Sequence, residues 1–328
     1  MTYNEAKLQF TALFKHEMSD EVMRDFLVSM TLDESTSVNA IAAAAEVMRS
    51  FAIALPISEE LRLNAIDVVG TGGDKIGSFN ISSTVAILAA ACGCTVAKHG
   101  SRSVTSQSGS ADMFEALGVR LDLSIEQSAK LLEESGFTFM FAQNHHPAMK
   151  FIMPVRKSIP EKTIFNILGP LTNPAGVNKS MLGVFNQAFV PKMLEALELN
   201  GATSAMVVSS KEGMDEISIS DITYASRLSN GTIHEFEIDP EVYGIQKAPL
   251  EAIMGGNAKQ NAKILIDIFE SHATDAQRDI VLINTAATLV VDGLARDIQD
   301  GLEMAREAIA NARAKKKLKQ IIEVSRKI

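Results

Sequence analysis

From residue 65 onward the chain alternates short apolar runs with segments of helical period, and no other feature constrains its fold as much. Residues 66–69, 95–97, 138–141 and 205–208 are short apolar runs, and 232–238 is a weaker fifth. Between them, 83–91, 125–135 and 191–199 carry apolar residues at helical spacing. Strands that alternate with helices need crossover connections, so the pattern predicts a largely parallel sheet covered by helices. Residues 1–64 read as helices alone, with starts at Ser19-Asp20-Glu21 and Ser37-Val38 and no convincing strand. The tail returns to helix over 257–271, 278–292 and a final segment rich in Ala, Lys and Arg. The segment 154–176, with four prolines and two glycines, reads as a crossing between two units.

Composition narrows the function. The 328 residues are 46% hydrophobic, enough for a sizeable core. Thirty-one basic residues against 40 acidic give a net charge of −9, which argues against a nucleic-acid surface. Any anionic ligand must then be held by a local cluster or through a metal ion. Cys92 and Cys94 fall in an apolar run and read as two small buried side chains. No signal peptide is legible and the longest apolar stretch is too short to span a bilayer, so the expected address is the cytoplasm.

Three loops carry candidate chemistry. Gly70-Thr71-Gly72-Gly73-Asp74 follows a strand, and its glycines let backbone N–H groups approach a ligand closely. Ser82-Ser83-Thr84 reads as a helix N-cap just beyond, where phosphate or pyrophosphate is the natural guest. The pattern fits neither a Walker loop nor a clean dinucleotide fingerprint, and the residues alone leave phosphate cradle and plain turn level. The second loop follows the next strand. There Lys98 offers a point charge, and Ser103, Thr105, Ser106, Ser108 and Ser110 offer donors, at the strand ends where parallel sheets gather ligands. His99 reads equally as structural or catalytic. The third loop holds Asp215-Glu216, a carboxylate pair suited to Mg²⁺ shared with substrate phosphates. Arg156, apart from these, has the donor fork that suits a substrate carboxylate, or a surface ion pair.

Taken in order, these motifs closely resemble the anthranilate phosphoribosyltransferase family. The matching stretches are Gly70–Asp74, Phe79-Asn80-Ile81-Ser82, Lys98-His99-Gly100, Ser108-Gly109-Ser110-Ala111-Asp112, His146-Pro147-Ala148-Met149-Lys150, the run 163–174, Asp215-Glu216 and the segments 284–287 and 305–309. The resemblance is collinear over nearly the whole chain. It implies an α/β fold of nucleoside phosphorylase/phosphoribosyltransferase type: a small N-terminal helical domain (1–64, completed by helices within 157–180) and a large α/β catalytic domain (65–328) with a mainly parallel central sheet. It further implies a homodimer through the helical domain, a Mg²⁺ requirement, and no nucleic-acid or membrane partner. The implied reaction joins the amine of anthranilate to C1 of phosphoribosyl pyrophosphate (PRPP), giving N-(5-phosphoribosyl)anthranilate and pyrophosphate in tryptophan biosynthesis.

Carried over residue by residue, the resemblance implies PRPP contacts from Gly70, Gly73, Asp74, Ser78, Asn80, Ser82, Ser83, Lys98 and Ser110. Ser82, Asp215 and Glu216 would surround the metal, and Gly70, Ser101 and Arg156 would face anthranilate. No nucleophile or general base is implied. The chain departs from the family pattern at Ser101, where asparagine is usual, at Ile159-Pro160 for leucine-glycine, at Lys162 for arginine and at Ser83 for threonine. The rival with the same overall fold is a pyrimidine nucleoside phosphorylase, or a related phosphoribosyl-binding protein with another acceptor or no activity. Asp215-Glu216 and the runs 146–150 and 163–174 favour the transferase. A nicotinamide-dependent dehydrogenase is a weaker rival, because the glycine spacing is wrong.

Overall fold

The computed structural model describes residues 1–103 and 107–328, so Thr105 and Ser106 of the serine-rich loop lie outside the described residues. A helical N-terminal region packs against a large α/β region built on one seven-stranded sheet. Its strands are β1 (Ala65–Gly70), β2 (Thr95–Gly100), β3 (Phe137–Phe141), β4 (Lys179–Gly183), β5 (Ser204–Ser210), β6 (Thr223–Ser229) and β7 (Thr232–Ile238). In space they run β3-β2-β1-β4-β5-β6-β7. The first five are parallel, and β6 and β7 form an antiparallel extension.

Two strands were not read from the sequence. The central strand β4 contributes only Met181 and Leu182 as large apolar residues, and its Lys179 is neutralised by Asp292 at 3.0 Å. In β6 small polar residues dominate, because Ser226 and Thr223 are buried inside the sheet. The proline-rich crossing is also more ordered than expected. Pro154 lies inside the helix Met149–Lys157, and two short helical turns follow at Phe165–Leu168 and Gly169–Leu171.

Two large apolar clusters flank the sheet, beside a smaller one around Ala65, Ala97 and Met140. In one, Phe10, Leu27 and Ile41 of the N-terminal helices meet Ile152, Val155 and Phe165, then Leu182 and Val207 on one sheet face. In the other, the helix Ile81–Cys92 is buried between strands and the helices Asp275–Asp292, Ile298–Ala310 and Arg313–Lys327. That helix is apolar on nearly every side, which only a helix covered all round can tolerate. Local signals set several starts: Ser19 accepts from the Val22 N–H, and Thr2, Ser124, Asn257 and Thr274 close capping boxes. Among the described residues no helix is long and apolar enough to cross a membrane.

Candidate active site

The strand order reverses at β1, which has β2 on one side and β4 on the other. Ligands of open α/β sheets bind outside the carboxyl ends at such a switch point. Here those ends are Gly70 and Gly183, which pair in register. The Asp215 segment crosses directly over both. A Cβ on Gly183 would collide with the Asp215 backbone, and one on Gly70 would meet the Asp215 carboxylate, with Cγ at 2.9 Å. Glycine at both strand ends is therefore what admits the acidic loop.

Beyond Gly70 the chain turns sharply. Gly72, Gly73, Lys75 and Gly77 all take φ between +64° and +79°, a region open to glycine and costly for the lysine. The Gly72 N–H donates to Asp215 Oδ2 at 2.7 Å, whereas the N–H groups of Gly73, Asp74 and Lys75 have no partner among the described residues. Glu216 Oε1 accepts from the Ser82 N–H at 3.0 Å, in the first turn of the helix Ile81–Cys92. One carboxylate thus grips the glycine-rich turn while its neighbour sits on the helix N-terminus. Burial raises both, Asp215 to about 7 with Asp74 adding repulsion, and Glu216 well above the usual range with Asp215 adding to it. The N-cap of this helix is Asn80, not the expected Ser82-Ser83-Thr84, which lie inside its first turn. Ser83 is fully buried and its hydroxyl has no partner among the described residues.

Asn80 ties the first loop to the second. Its amide donates to the Ser108 carbonyl at 3.1 Å, and its carbonyl accepts from Asn261 at 2.8 Å and from the Ser108 hydroxyl at 3.2 Å. The antiparallel bridge Ser78–Met254 and the Phe79 N–H to Ile253 carbonyl bond of 3.1 Å anchor the same edge. The serine-rich loop is braced by Arg102, which bonds Asp112 at 2.8 Å and Glu115 at 2.9 Å. Ser110 opens the helix Ser110–Leu117, and Gly109 before it leaves no room for a Cβ against the backbone of residues 101–103. Exposed Ser101 folds its hydroxyl onto the Arg102 carbonyl at 3.0 Å.

Lys98 is not a surface cation. It is buried in β2, and its ammonium donates to the Val68 carbonyl of β1 at 2.5 Å. Burial pulls its pKa down, and Asp67, Glu216 and Asp215 oppose that pull. Asp67, equally buried in β1, is pushed up to about 6 by burial, against Lys98, the Asn173 amide and the His99 N–H. Lys98 thus serves as an internal counter-charge to the acidic floor of the site. His99 packs against His146 with ring centroids 5.1 Å apart, and burial holds both imidazoles neutral, His146 at about 4. Arg156 stands apart from this network. It is half-buried on the helix Met149–Lys157, 4.0 Å from Met153 Sδ and 5.8 Å from the centre of the Phe165 ring, and pairs with no carboxylate among the described residues.

Residues 62–315 match the glycosyl transferase family, a/b domain. A curated relative from Polynucleobacter asymbioticus, an anthranilate phosphoribosyltransferase, is 44% identical over 309 residues, 94% of this chain and 89% of its own. The chain belongs to the anthranilate phosphoribosyltransferase family. The family enzyme of Thermus thermophilus superposes with a TM-score of 0.91 at 36% identity, covering 99% of this chain and 96% of its own. That of Saccharomyces cerevisiae, solved in complex with PRPP and Mg, superposes at 0.86 and 25% identity, covering 99% and 93%. Within this family frame, four residues that sequence reasoning passed over sit in the network: Asp67, Asn173, Asn261 and Gly183. Asp67 alone carried a local sign, a charge inside an apolar run; the others act through contacts with residues remote in the chain.

Proposed function

We propose that this chain transfers the phosphoribosyl group of PRPP to the amine of anthranilate, releasing pyrophosphate, as a step of tryptophan biosynthesis. The observation that carries the reading is the joining of three loops, after β1, β2 and β5, into one hydrogen-bonded cradle. Open N–H donors at Gly73, Asp74 and Lys75 lie beside the acidic pair there, a fit for the oxygens of a diphosphate. Gly70, Ser78, Asn80, Ser82, Ser83, Lys98 and Ser110 complete that half of the site as binding or supporting residues.

Among the described residues no group of three or more His, Cys, Asp or Glu side chains could hold a metal by itself. Two adjacent carboxylates nevertheless suit Mg²⁺, which favours one or two protein carboxylates plus substrate phosphates and water. Asp215, Glu216 and the Ser82 hydroxyl would hold it, and when bound it supplies charge neutralisation for the departing pyrophosphate. The chain's own residues do the rest. Backbone donors of the glycine-rich turn orient the leaving group, and Arg156, with no competing carboxylate among the described residues, takes the carboxylate of anthranilate. Because the ribosyl C1 becomes cationic as pyrophosphate leaves, positioning of the amine suffices and no covalent nucleophile is needed.

The helical unit of this reading is residues 1–64 with helices from the segment 157–180, where Ile164, Phe165 and Leu168 pack with Phe10 and Ile41, set on an α/β unit, residues 65–328. Exposed Leu8, Val22 and Val28 on its first helices suit a homodimer, and a cytoplasmic address fits this chemistry. Loss of anthranilate fluorescence with PRPP and Mg²⁺ tests the activity. No loss at any Mg²⁺ concentration, or phosphorolysis of a pyrimidine nucleoside instead, would reject it.

A further inference from the structure

Lys162 lies on the strip that joins the helix Met149–Lys157 to the turn Phe165–Leu168. Its backbone is stapled into the helical region: Leu32 N–H donates to the Lys162 carbonyl and Ile164 N–H to the Met30 carbonyl, both at 2.9 Å, around the antiparallel bridge Thr31–Thr163. Its side chain leaves that region and crosses to the α/β region. There the ammonium donates to the Gly73 carbonyl at 3.0 Å and stands 3.3 Å from the centre of the Phe185 ring, just beyond β4. An ammonium has three donors, so one carbonyl and one aromatic face leave it unsatisfied. Among the described residues it forms no ion pair within 4 Å, although Asp74 and Asp215 attract it at longer range and Lys75 repels it.

The carbonyl it holds belongs to the turn whose N–H groups at 73, 74 and 75 are open. An anion seated on those donors lies within a few ångströms of the lysine. A charge-assisted bond to a phosphate oxygen is roughly twice as strong as one to a neutral carbonyl. We propose that Lys162 is a substrate-exchanged latch: it holds the glycine-rich turn to the helical region before substrate binds and gives its ammonium to a pyrophosphate oxygen of PRPP when that substrate arrives. The role rests on the reading of the site as a PRPP site. Lys162 then couples occupancy of the turn to the position of the helix that carries Arg156, because the strip continues directly from that helix.

Isothermal titration with PRPP and Mg²⁺, without anthranilate, tests the latch. Lys162→Met keeps the stem and removes the charge. Loss of a hydrogen bond between charged groups is worth about 1.5–3 kcal/mol, a rise in Kd of roughly 10- to 150-fold. Lys162→Arg should restore Kd to within about threefold of wild type, and KM for anthranilate at saturating PRPP should rise in Lys162→Met and not in Lys162→Arg. Phe185→Leu removes the competing aromatic face while leaving the ammonium, so PRPP should bind as well as before or tighter. Wild-type affinity in Lys162→Met would overturn the latch. So would a loss in Phe185→Leu equal to that in Lys162→Met, which would make the lysine only a brace for the turn. If wild-type protein itself fails to bind PRPP, the PRPP reading falls and the latch with it; if wild type binds and Lys162→Met binds equally, the latch falls alone.

Discussion

Replacing Gly183 by alanine tests whether the acidic loop is placed by close backbone approach. Gly183 does not have a positive φ, so alanine is free of intrinsic strain there and the whole effect is steric. The new Cβ would stand 3.0 Å from the Asp215 Cα and closer still to its carbonyl group, where ordinary contact begins at 3.4 Å. Both partners are backbone, so no rotamer change relieves the clash. Either the loop retreats by about 1 Å, the displacement that costs roughly 10²-fold in rate when it separates reacting groups, or the strand end yields at about 1–3 kcal/mol of over-packing. The same substitution at Gly70 meets mainly the Asp215 carboxyl group, with Cγ at 2.9 Å and the backbone oxygen at 3.4 Å, and a side chain can swing away.

The expected outcome is therefore graded. Gly183→Ala loses about 100-fold in kcat/KM for PRPP, needs more Mg²⁺ for half-maximal rate, and melts roughly 2–6 °C lower. Gly70→Ala loses the Asp215 bond to the Gly72 N–H, and so part of the activity, while its melting temperature stays near wild type. Steady-state fluorescence kinetics with a Mg²⁺ titration and a thermal melt read both. Wild-type kinetics in Gly183→Ala, or equal destabilisation by the two substitutions, would refute the reasoning.

Arg156→Leu removes a half-buried guanidinium that has no anionic partner among the described residues, so it should raise KM for anthranilate by roughly 10- to 150-fold while leaving PRPP affinity unchanged and the melting temperature equal or higher; a fall in PRPP affinity by titration would count against the assignment. His146 is held neutral by burial, with its pKa lowered from 6.5 to about 4. The unfolded chain therefore binds the extra proton first, and stability is lost as pH falls from about 6.5 to about 4, by about 3 kcal/mol. His146→Asn should flatten that part of a urea-denaturation series, and an unchanged acid limb would refute it. Lys98→Met removes the buried cation whose charge favours ionised Asp67, so it should destabilise by about 1–3 kcal/mol, and Asp67→Asn in the same chain should recover most of that; two additive losses would show that the residues do not interact.

The features legible in the sequence are those that local pattern controls. Strands β1, β2, β3 and β5 announce themselves as apolar runs, and the helix Ile125–Ser135 by its serine cap and amphipathic face. Strand β4 was hidden because a strand of five residues with lysine first looks like loop until Asp292, 113 positions away, is seen to neutralise it. The glycine-rich turn, Ser82 and Asp215-Glu216 were visible as candidates, but the bonds that join Gly72 and Ser82 to the acidic pair span 143 and 134 residues and leave no periodic trace. Lys98 shows the same limit. A lysine at a strand end reads as solvated or ligand-facing, and only the neighbouring strand's Asp67 and Val68 make its burial tolerable.

The net-negative charge of the chain becomes intelligible through the way it holds its acids. Asp215 and Glu216 occupy N–H groups, at Gly72 and Ser82, that would otherwise attract an anion. Burial beside Asp74 raises both carboxyls, and Lys98 supplies the nearby buried positive charge that acts on Glu216. The cradle by itself therefore favours protons on these carboxyls over full negative charge. In the proposed reading a divalent cation would displace those protons, because it is attracted by the carboxylates and in turn attracts phosphate oxygens. In that reading metal and diphosphate would bind this floor as one unit, each supplying what the other lacks. A general basic surface would not give that selectivity: it would attract any polyanion, whereas an acidic floor admits one that brings its own cation.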